Sequence, residues 1–311
     1  MNFEELDLLS KAKYWSTLSL IVVVIGWIIL ATPIVAPGLR DSSWPWLNLG
    51  IDFQGGTKIT VPFEEEVTAA RVRNFLSSTE GLSQLSDSQI QSETNSNNIY
   101  INTKADVGSN EVLLSDLRQA LARDFEVTEE EISINSVGQQ ISQEFQVKAL
   151  QAIGLALLVI LIYISWRFRL RYAVGAVAAV IHDVTIALAV FAIFGIEINL
   201  PTIGAFLTIV GYSLNDTIVY FDRIRENSGK RAARTESTFS LINKSINQSL
   251  SRTLSTSTTT FIPVIALVLF GGPVLKAFSL ALLIGVIVGT YSSIYVAAPL
   301  VYVWDKYLAS E

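Results

Sequence analysis

Six runs of apolar residues, separated by polar segments, organise the chain. Their predicted limits are 14–35, 146–165, 172–194, 199–221, 252–271 and 275–302. Each is close to the roughly 20 residues that a helix needs to cross a hydrocarbon core about 30 Å thick. The mostly apolar core of the first run covers the 18 residues from Leu18 to Val35. It is longer than the roughly 7–15 apolar residues of a cleaved signal peptide, which favours a retained anchor. The pattern predicts a multi-span α-helical membrane protein with six transmembrane helices.

A polar segment of mixed composition, residues 36–143, lies between the first and second apolar runs. Within it, stretches of alternating apolar residues surround two segments, 66–79 and 110–125, whose apolar residues recur at helical spacing. The predicted order is strand, helix, strand, strand, helix, strand, which is typical of an α+β ferredoxin-like domain. The acidic residues of this segment are scattered and do not indicate a catalytic centre.

Basic residues decide the predicted orientation of the helices. They cluster in the 166–171 connection and the 222–252 stretch, whereas the connections after the third and fifth apolar runs carry none. The basic loops are therefore placed in the cytoplasm, and the polar domain outside it. The predicted division is a cytoplasmic N-terminus 1–13, transmembrane helix 14–35, extracytoplasmic domain 36–143, five-helix transmembrane domain 144–304 and cytoplasmic C-terminus 305–311.

The composition of the chain excludes several classes of function. Hydrophobic residues make up 50% of the chain and charged residues 16%, against about 25% charged in a typical soluble domain. The chain has no Cys and one His, which excludes a disulfide scaffold, a thiolate centre and a His-rich metal site. A net charge of −6 argues against nucleic-acid binding. Neither a zinc-protease motif nor a serine-nucleophile motif is present, so no cofactor and no enzymatic activity is predicted.

The fourth apolar run carries the strongest functional signal, because Asn215 and Asp216 lie inside it. A carboxylate at the bilayer centre costs at least about 2.5–3.5 kcal/mol, so Asp216 must face protein or water, be protonated, or be paired. A stripe of small and polar residues on the face that bears Asn215 permits close approach of another helix. It consists of Gly204, Thr208, Gly211 and Asn215. Two interpretations stay open for Asp216: a proton relay that gains and loses H⁺, or a structural hydrogen bond to a neighbouring helix.

The fifth apolar run raises a question of length. Its purely apolar part, from Phe261 to Gly272, is too short to cross the membrane. The helix must therefore begin near Arg252 and carry the sequence RTLSTSTTT into the membrane. These hydroxyls, Thr258 among them, can bond back to carbonyls one turn earlier and can line a wet path. Arg252 either reaches Asp216 as a separable ionic partner or snorkels to the inner interface.

Two further membrane runs contain polar or small residues. In the third run, His182 and Asp183 lie near mid-membrane, either as support for a relay or as a packed, hydrogen-bonded pair. The sixth run has small residues at intervals of four, which predicts a face for helix packing. They are Ala281, Gly285, Gly289 and Ser293.

Four segments resemble signatures of the SecD/SecF family, part of the RND superfamily. GIDFQGGT at 50–57 resembles the glycine-rich signature, and GYSLNDTIVYFDRIREN at 211–227 resembles the fourth-span motif. IHDV at 181–184 and SRTLSTSTT at 251–259 resemble two further membrane segments. The structural residues of the first signature are Gly50, Asp52, Gly55 and Gly56. With its order of one span, a domain and five spans, the resemblance covers the whole chain.

The resemblance implies a protein export subunit of a bacterial-type inner (plasma) membrane or a related internal membrane. Members of this family are expected to work with a SecD partner beside the SecY/SecE/SecG channel, in many cases with YajC, on a translocating polypeptide. The proton motive force is expected to drive late export, with Asp216 as proton carrier, Arg252 as its conducting partner and Asn215 in the same motif. His182, Asp183 and Thr258 are weaker candidates for supporting that relay.

Two rival functions stay open. Half of an RND-type, proton-coupled solute transporter would explain Asp216 equally well, and it predicts a substrate cavity between the helices. A non-transporting membrane receptor or assembly factor would use the outer domain for binding and the buried polar groups as contacts between helices. The second rival predicts that Asp216→Asn keeps function.

Overall fold

The structure is a computed structural model that describes residues 6–35, 47–79, 81–86, 88–92, 97–103, 105, 107–108, 110–125, 127–230 and 236–307. The chain divides into two compact units. The membrane unit comprises Met1–Asn48 and Gln151–Glu311, and the domain unit comprises Leu49–Leu150. The predicted terminal segments and the beginning of the predicted 36–143 domain lie partly outside the described residues.

The helices, in chain order, are α1 Ala12–Val35, α2 Ile51–Gln54, α3 Ala69–Ser78, α4 Glu111–Phe125, α5 Gln139–Arg167, α6 Leu170–Phe194, α7 Leu200–Ser228, α8 Thr238–Phe270, α9 Gly272–Ser292 and α10 Ala298–Tyr307. The strands are β1 Asn48–Leu49, β2 Gly56–Pro62, β3 Gln89–Ser92, β4 Asn98–Thr103, β5 Ser133–Val137 and β6 Glu197–Ile198. Short 3₁₀ turns occur at Ser83–Leu85 and Glu129–Glu131, and a π-helical turn at Ser293–Ala297 joins α9 to α10.

Within the described residues, six helical segments are long and apolar enough to cross a membrane. They are Ala12–Thr32, Gln139–Arg167, Leu170–Phe194, Leu200–Ser228, Thr238–Phe270 and Leu275–Tyr307. The last segment combines α9, the π-helical turn and α10. The chain is therefore a multi-span helical membrane protein, as its apolar pattern predicts.

Several helices extend beyond the spans predicted for them. α5 begins at Gln139 rather than near 146, α8 begins at Thr238 rather than near 252, and α7 ends at Ser228 rather than near 221. The additional turns of α8 mix polar residues with buried apolar ones, and Ser237 caps them by accepting a hydrogen bond from the Ser240 amide at 3.2 Å. Because hydropathy finds only the continuously apolar part of a helix, it misses amphipathic turns that continue the same helix.

Small residues on α9 allow the central helices of the membrane unit to pack closely. A Cβ atom built on Gly285 would lie 2.2 Å from Cγ1 of Ile209 on α7. One turn later, a Cβ atom built on Gly289 would lie 3.3 Å from the α7 backbone. Ala281 and Ser293 are fully buried. The predicted packing face of the sixth apolar run is therefore confirmed.

The domain unit contains a four-stranded antiparallel sheet in the order β3-β4-β2-β5. β2 is paired on both sides, so that Ile59 lies opposite Ile101 of β4 and Ile134 of β5. α3 connects β2 to β3, and α4 connects β4 to β5. The chain order of these elements is therefore β-α-β-β-α-β.

One apolar cluster forms the core of the domain unit. Alternation along β2 buries Ile59 and Val61, while Lys58 and Thr60, which alternate with them, are only half-buried. Residues at helical spacing on α3 and α4 complete the same cluster. Its most deeply buried members include Val72, Leu76, Leu117 and Leu121.

Candidate functional site

Asp183 of α6 is fully buried and is bonded to two other helices. Its Oδ1 lies 2.7 Å from Nδ1 of the neighbouring His182, in a shared hydrogen bond. Its Oδ2 accepts hydrogen bonds from Ser213 Oγ of α7 at 2.5 Å and from Ser292 Oγ of α9 at 2.8 Å. The two residues predicted from the third apolar run thus form a bonded pair that joins α6, α7 and α9.

Asp216 of α7 is also buried, at 1% exposure, but its hydrogen bonds are long. Ser257 Oγ of α8 donates to its Oδ2 at 3.4 Å, and Asn215 Nδ2 lies 3.5 Å from its Oδ1. A hydroxyl normally approaches a carboxylate to about 2.5–2.7 Å. The structure therefore places Asp216 away from lipid without a set of short bonds that would hold one protonation state.

Hydroxyl groups along α8 bond to carbonyls of their own helix, as predicted. Ser255 donates to the Ser251 carbonyl at 2.8 Å, Thr256 to the Arg252 carbonyl at 3.2 Å, and Thr259 to the Ser255 carbonyl at 3.0 Å. These internal bonds satisfy the hydroxyls, so the polar turns of α8 can lie in apolar surroundings.

Ser257, rather than Thr258, is the α8 residue that contacts Asp216. Ser257 Oγ also lies 2.7 Å from Thr290 Oγ1 of α9. Thr258 is exposed, because one step along an α-helix turns the side chain by about 100°. The structure thus places Ser257 beside the carboxylate and Thr258 on an exposed face of α8.

The two buried carboxylates belong to one set of polar side chains. On α9, Thr290 contacts Ser257 and Ser292 contacts Asp183. On α7, the donor to Asp183 precedes Asp216 by one turn. We call this set the polar cluster: His182, Asp183, Ser213, Asp216, Ser257, Thr290 and Ser292.

A cavity of about 400 Å³ lies beside the polar cluster in the membrane unit. Asn215 and Arg252 line it together, and it continues along α7 past Asp222 to Glu226. This stretch of α7 corresponds to about three turns. Within the described residues no ion pair joins Arg252 to Asp216, so of the two interpretations of Arg252 the pairing is not formed in this conformation. The structure does bring Arg252 and Asn215 to the same cavity.

The small-residue stripe of α7 is exposed rather than packed. Gly204, Thr208, Gly211 and Asn215 all lie on an exposed face. A Cβ atom built on Gly204 or Gly211 would meet no described atom within 4 Å apart from its own stretch of helix. No described helix of this chain therefore makes the close approach that the stripe permits, and the close contact is made by the glycines of α9.

The glycine-rich signature has a structural reason within the domain unit. Gly55 and Gly56 have φ angles of 71° and 113°, which favour glycine. A Cβ atom built on Gly55 would lie 3.3 Å from Gln139 Cα, at the start of α5. Gly50 is the N-cap of α2, and Asp52 lies in the first turn of that helix. The signature therefore forms a tight turn packed against the first residues of α5.

Sequence reasoning missed the hydroxyl donors of the polar cluster. They are Ser213, Ser257, Thr290 and Ser292. Ser257 had a signal, since it lies in the hydroxyl-rich segment, and Ser213 lies one turn before Asp216. Single serines and threonines are frequent between membrane helices, so their type alone does not distinguish donors from packing residues.

Long apolar helices that surround buried carboxylates and hydroxyls define a polytopic membrane protein with a candidate proton-handling centre. The family described as "Protein export membrane protein SecD/SecF, C-terminal" matches residues 118–307, and the SecD/SecF GG motif matches residues 45–67. The chain belongs to the SecD/SecF family of protein export membrane proteins.

Similar proteins agree with this assignment. The chain is 40% identical to protein translocase subunit SecF of Desulfurispirillum indicum, over 91% of this chain and 88% of that protein. It is 41% identical to protein translocase subunit SecF of Thermodesulfovibrio yellowstonii, over 97% and 95%. The crystal structure of SecDF from Thermus thermophilus, a translocon-associated membrane protein, matches with a TM-score of 0.81 and 34% identity, over 97% of this chain and 39% of that one. These relatives are named as translocase subunits and not as enzymes.

Proposed function

We propose that the chain acts as an accessory subunit of the Sec protein translocase and uses the proton motive force, through Asp216, to drive late export of polypeptides. Its accessory role in Sec translocation follows from its family and its SecF relatives. Proton coupling goes beyond that accessory role, and the arrangement of side chains in the polar cluster supports it.

The main support for proton coupling is that Asp216 is buried and that its hydrogen bonds within the described residues are long. A carboxylate buried among helices costs free energy when it is ionised and unpaired. Because its partners are at 3.4 Å and 3.5 Å, protonation breaks no strong network. These conditions suit a group that takes up and releases a proton as its surroundings change.

Asp183 has the opposite setting. Its three partners lie at 2.5–2.8 Å on three helices, so a change in its charge would disturb the contacts that hold α6, α7 and α9 together. We assign Asp183 and His182 a positioning role in the polar cluster. Ser257 then takes the supporting role that sequence reasoning considered for Thr258.

Arg252 supplies the switchable charge. It lines the cavity beside Asn215 and is not ion-paired with Asp216 in this conformation. An arginine that approaches a carboxylate favours its ionised form, and one that withdraws permits protonation. The cavity extends from Glu226 to Asn215, the neighbour of Asp216, and in this proposal protons approach Asp216 from that side.

The proposed topology places both termini and the basic connections in the cytoplasm of a bacterial-type inner membrane. Arg167, Arg169 and Arg171 lie around the short connection between α5 and α6 and support this orientation. The domain unit is then extracytoplasmic. We further propose that it is a ferredoxin-like domain, on the basis of its β-α-β-β-α-β order and its β3-β4-β2-β5 sheet.

SecD is the proposed partner of this chain. The chain matches 39% of the Thermus thermophilus SecDF structure. We propose that SecD corresponds to the part of that protein which this chain does not match. The exposed stripe of α7 offers small residues to a helix of that part. We extend the assembly to the SecY/SecE/SecG channel, YajC and the translocating polypeptide on family resemblance.

The available energy fits such a role. One proton that crosses 100 mV supplies about 2.3 kcal/mol. This free energy shifts a two-state equilibrium by about 50-fold. It is enough to bias one conformational step in each cycle.

The test uses vesicles that contain this chain, SecD and the SecY channel. Late, ATP-independent export of a client is followed with and without a proton gradient, in wild type and in Asp216→Asn. The matched control is Asp305→Asn, the same change in the membrane unit but outside the cavity lining, at a carboxylate that pairs with Arg171 at 2.5 Å. We expect the gradient to accelerate wild type and the control but not Asp216→Asn.

Two results would contradict the proposal. If assembled Asp216→Asn responds to the gradient like wild type, Asp216 is a contact between helices in a receptor or scaffold. If the gradient drives uptake of a small solute and leaves export unchanged, the chain is half of an RND-type solute transporter.

A further inference from the structure

An apolar groove of about 750 Å³ lies in the membrane unit between α1, α6 and α10. Its volume is within the range of about 300–1,000 Å³ that is usual for ligand sites. Aliphatic side chains form most of its walls. Among them are Leu20, Val23, Ile181, Val296, Leu300 and Val303.

The wall that α1 contributes to the groove has about the depth of one membrane leaflet. Ser19 Oγ lies 2.8 Å from Tyr291 Oη, and Ser16 Oγ donates to the Tyr295 carbonyl at 2.5 Å, so α1 runs antiparallel to the last membrane segment. From Lys13 to Val23, both of which line the groove, α1 rises about 15 Å. This distance is half of a hydrocarbon core about 30 Å thick.

One end of the groove carries positive charge. Lys13 lines it, and Lys306 Nζ lies 5.8 Å and 5.0 Å from the ring centroids of Tyr302 and Tyr307, which also line it. Because the segments are antiparallel, the beginning of α1 and the end of α10 lie toward the same end of the groove. Within the described part of the chain, neither lysine takes part in a salt bridge. Lysine and tyrosine side chains at such a position are typical of the headgroup region.

We propose that this groove binds an anionic phospholipid. One acyl chain lies along the apolar walls, and the headgroup phosphate lies between Lys13 and Lys306. The length matches the chains of one leaflet, and the two cations match an anionic headgroup. An apolar helix of another protein would cover the same walls but would supply no negative charge to the lysines.

The test is a lipid titration of the full chain in detergent, followed by native mass spectrometry. Dioleoylphosphatidylglycerol is compared with zwitterionic dioleoylphosphatidylcholine. We expect wild type to retain one phosphatidylglycerol in preference to phosphatidylcholine. Lys13→Gln and Lys306→Gln should each weaken phosphatidylglycerol binding about five-fold, and together about 25-fold. Lys11→Gln, which lies outside the groove lining, should have no effect.

A second substitution tests the acyl chain. Ala178 lines the groove, so Ala178→Leu should fill it and weaken both lipids, whereas Ala152→Leu on the exposed side of α5 should not. If Ala178→Leu fails to fold, Ala178→Val makes the same test with a smaller side chain. Equal binding of both lipids, or equal losses in test and control variants, would overturn the proposal. So would a photo-crosslinker at Ile181 that labels a protein rather than lipid in native membranes.

Discussion

The contact between α7 and α9 depends on a glycine that no other residue can replace without displacement. In Gly285→Ala the new Cβ atom would lie 2.2 Å from Ile209 Cγ1 and 2.8 Å from two further atoms of that side chain. Carbon atoms normally approach to about 3.5–4.0 Å. The helices must therefore separate by more than about 1 Å, or Ile209 must leave its rotamer. Such overpacking costs about 1–3 kcal/mol.

Thermal unfolding of the full chain in detergent, followed by tryptophan fluorescence, measures this cost. An overpacking cost of about 2 kcal/mol should lower the midpoint temperature of unfolding by about 4–8 °C. Gly211→Ala is the matched control, since its Cβ atom meets nothing within 4 Å. In the Ile209→Ala background the opposing atoms are gone, so Gly285→Ala should have little further effect, and a double-mutant cycle should show the coupling.

The prediction has a clear refutation. If Gly285→Ala lowers the midpoint no more than Gly211→Ala, the close approach does not limit stability. If Gly285→Ala costs the same with and without the Ile209 side chain, the clash is not with that residue. Either result would remove the packing explanation for the small residues of α9.

Two further outcomes follow from hydrogen bonds. Thr57→Val should destabilise the domain unit by about 1–3 kcal/mol, because the Thr57 hydroxyl binds the Val107 amide at 3.0 Å and the Ala105 carbonyl at 2.9 Å. Hydrogen exchange in the full chain measures this loss, and Thr60→Val on the half-buried face should show none. Asp183→Asn should lower the unfolding midpoint by about 1–4 °C, because a membrane hydrogen bond contributes about 0.6 kcal/mol on average. Export by this variant should still depend on the proton gradient. Loss of that dependence would contradict the positioning role of Asp183.

The membrane helices could be predicted because lipid imposes one simple requirement, a long apolar run. The packing faces could not be predicted equally well. The stripe that contains Gly204 and Gly211 and the stripe that contains Gly285 and Gly289 have the same residue types at similar spacing. Only the second is packed within this chain. Which stripe is packed depends on which face of each helix lies against the other helices. The residue types of a single helix do not show which face that is.

The charged and amide residues of the site could be predicted from the sequence, but their hydroxyl partners could not. Asp216, Asn215 and Arg252 stand out because charged and amide groups are costly in a membrane. The partners of Asp183 do not, since Ser213 and Ser292 are 30 and 109 positions away in the chain. Hydroxyls carry little penalty of their own, so only the folded arrangement shows which of them face a carboxylate.

The π-helical turn at Ser293–Ala297 divides the last membrane segment into two parts with separate tasks. A π-helical turn holds one residue more than an α-helical turn would, and so rotates everything that follows. Before it, α9 presents Ser292 to Asp183. After it, α10 presents Asp305 to Arg171 at 2.5 Å. Deletion of one residue within the turn would restore a regular helix but set these two contacts out of phase by about 100°. The extra residue therefore sets the phase at which one continuous segment presents Ser292 to Asp183 and Asp305 to Arg171.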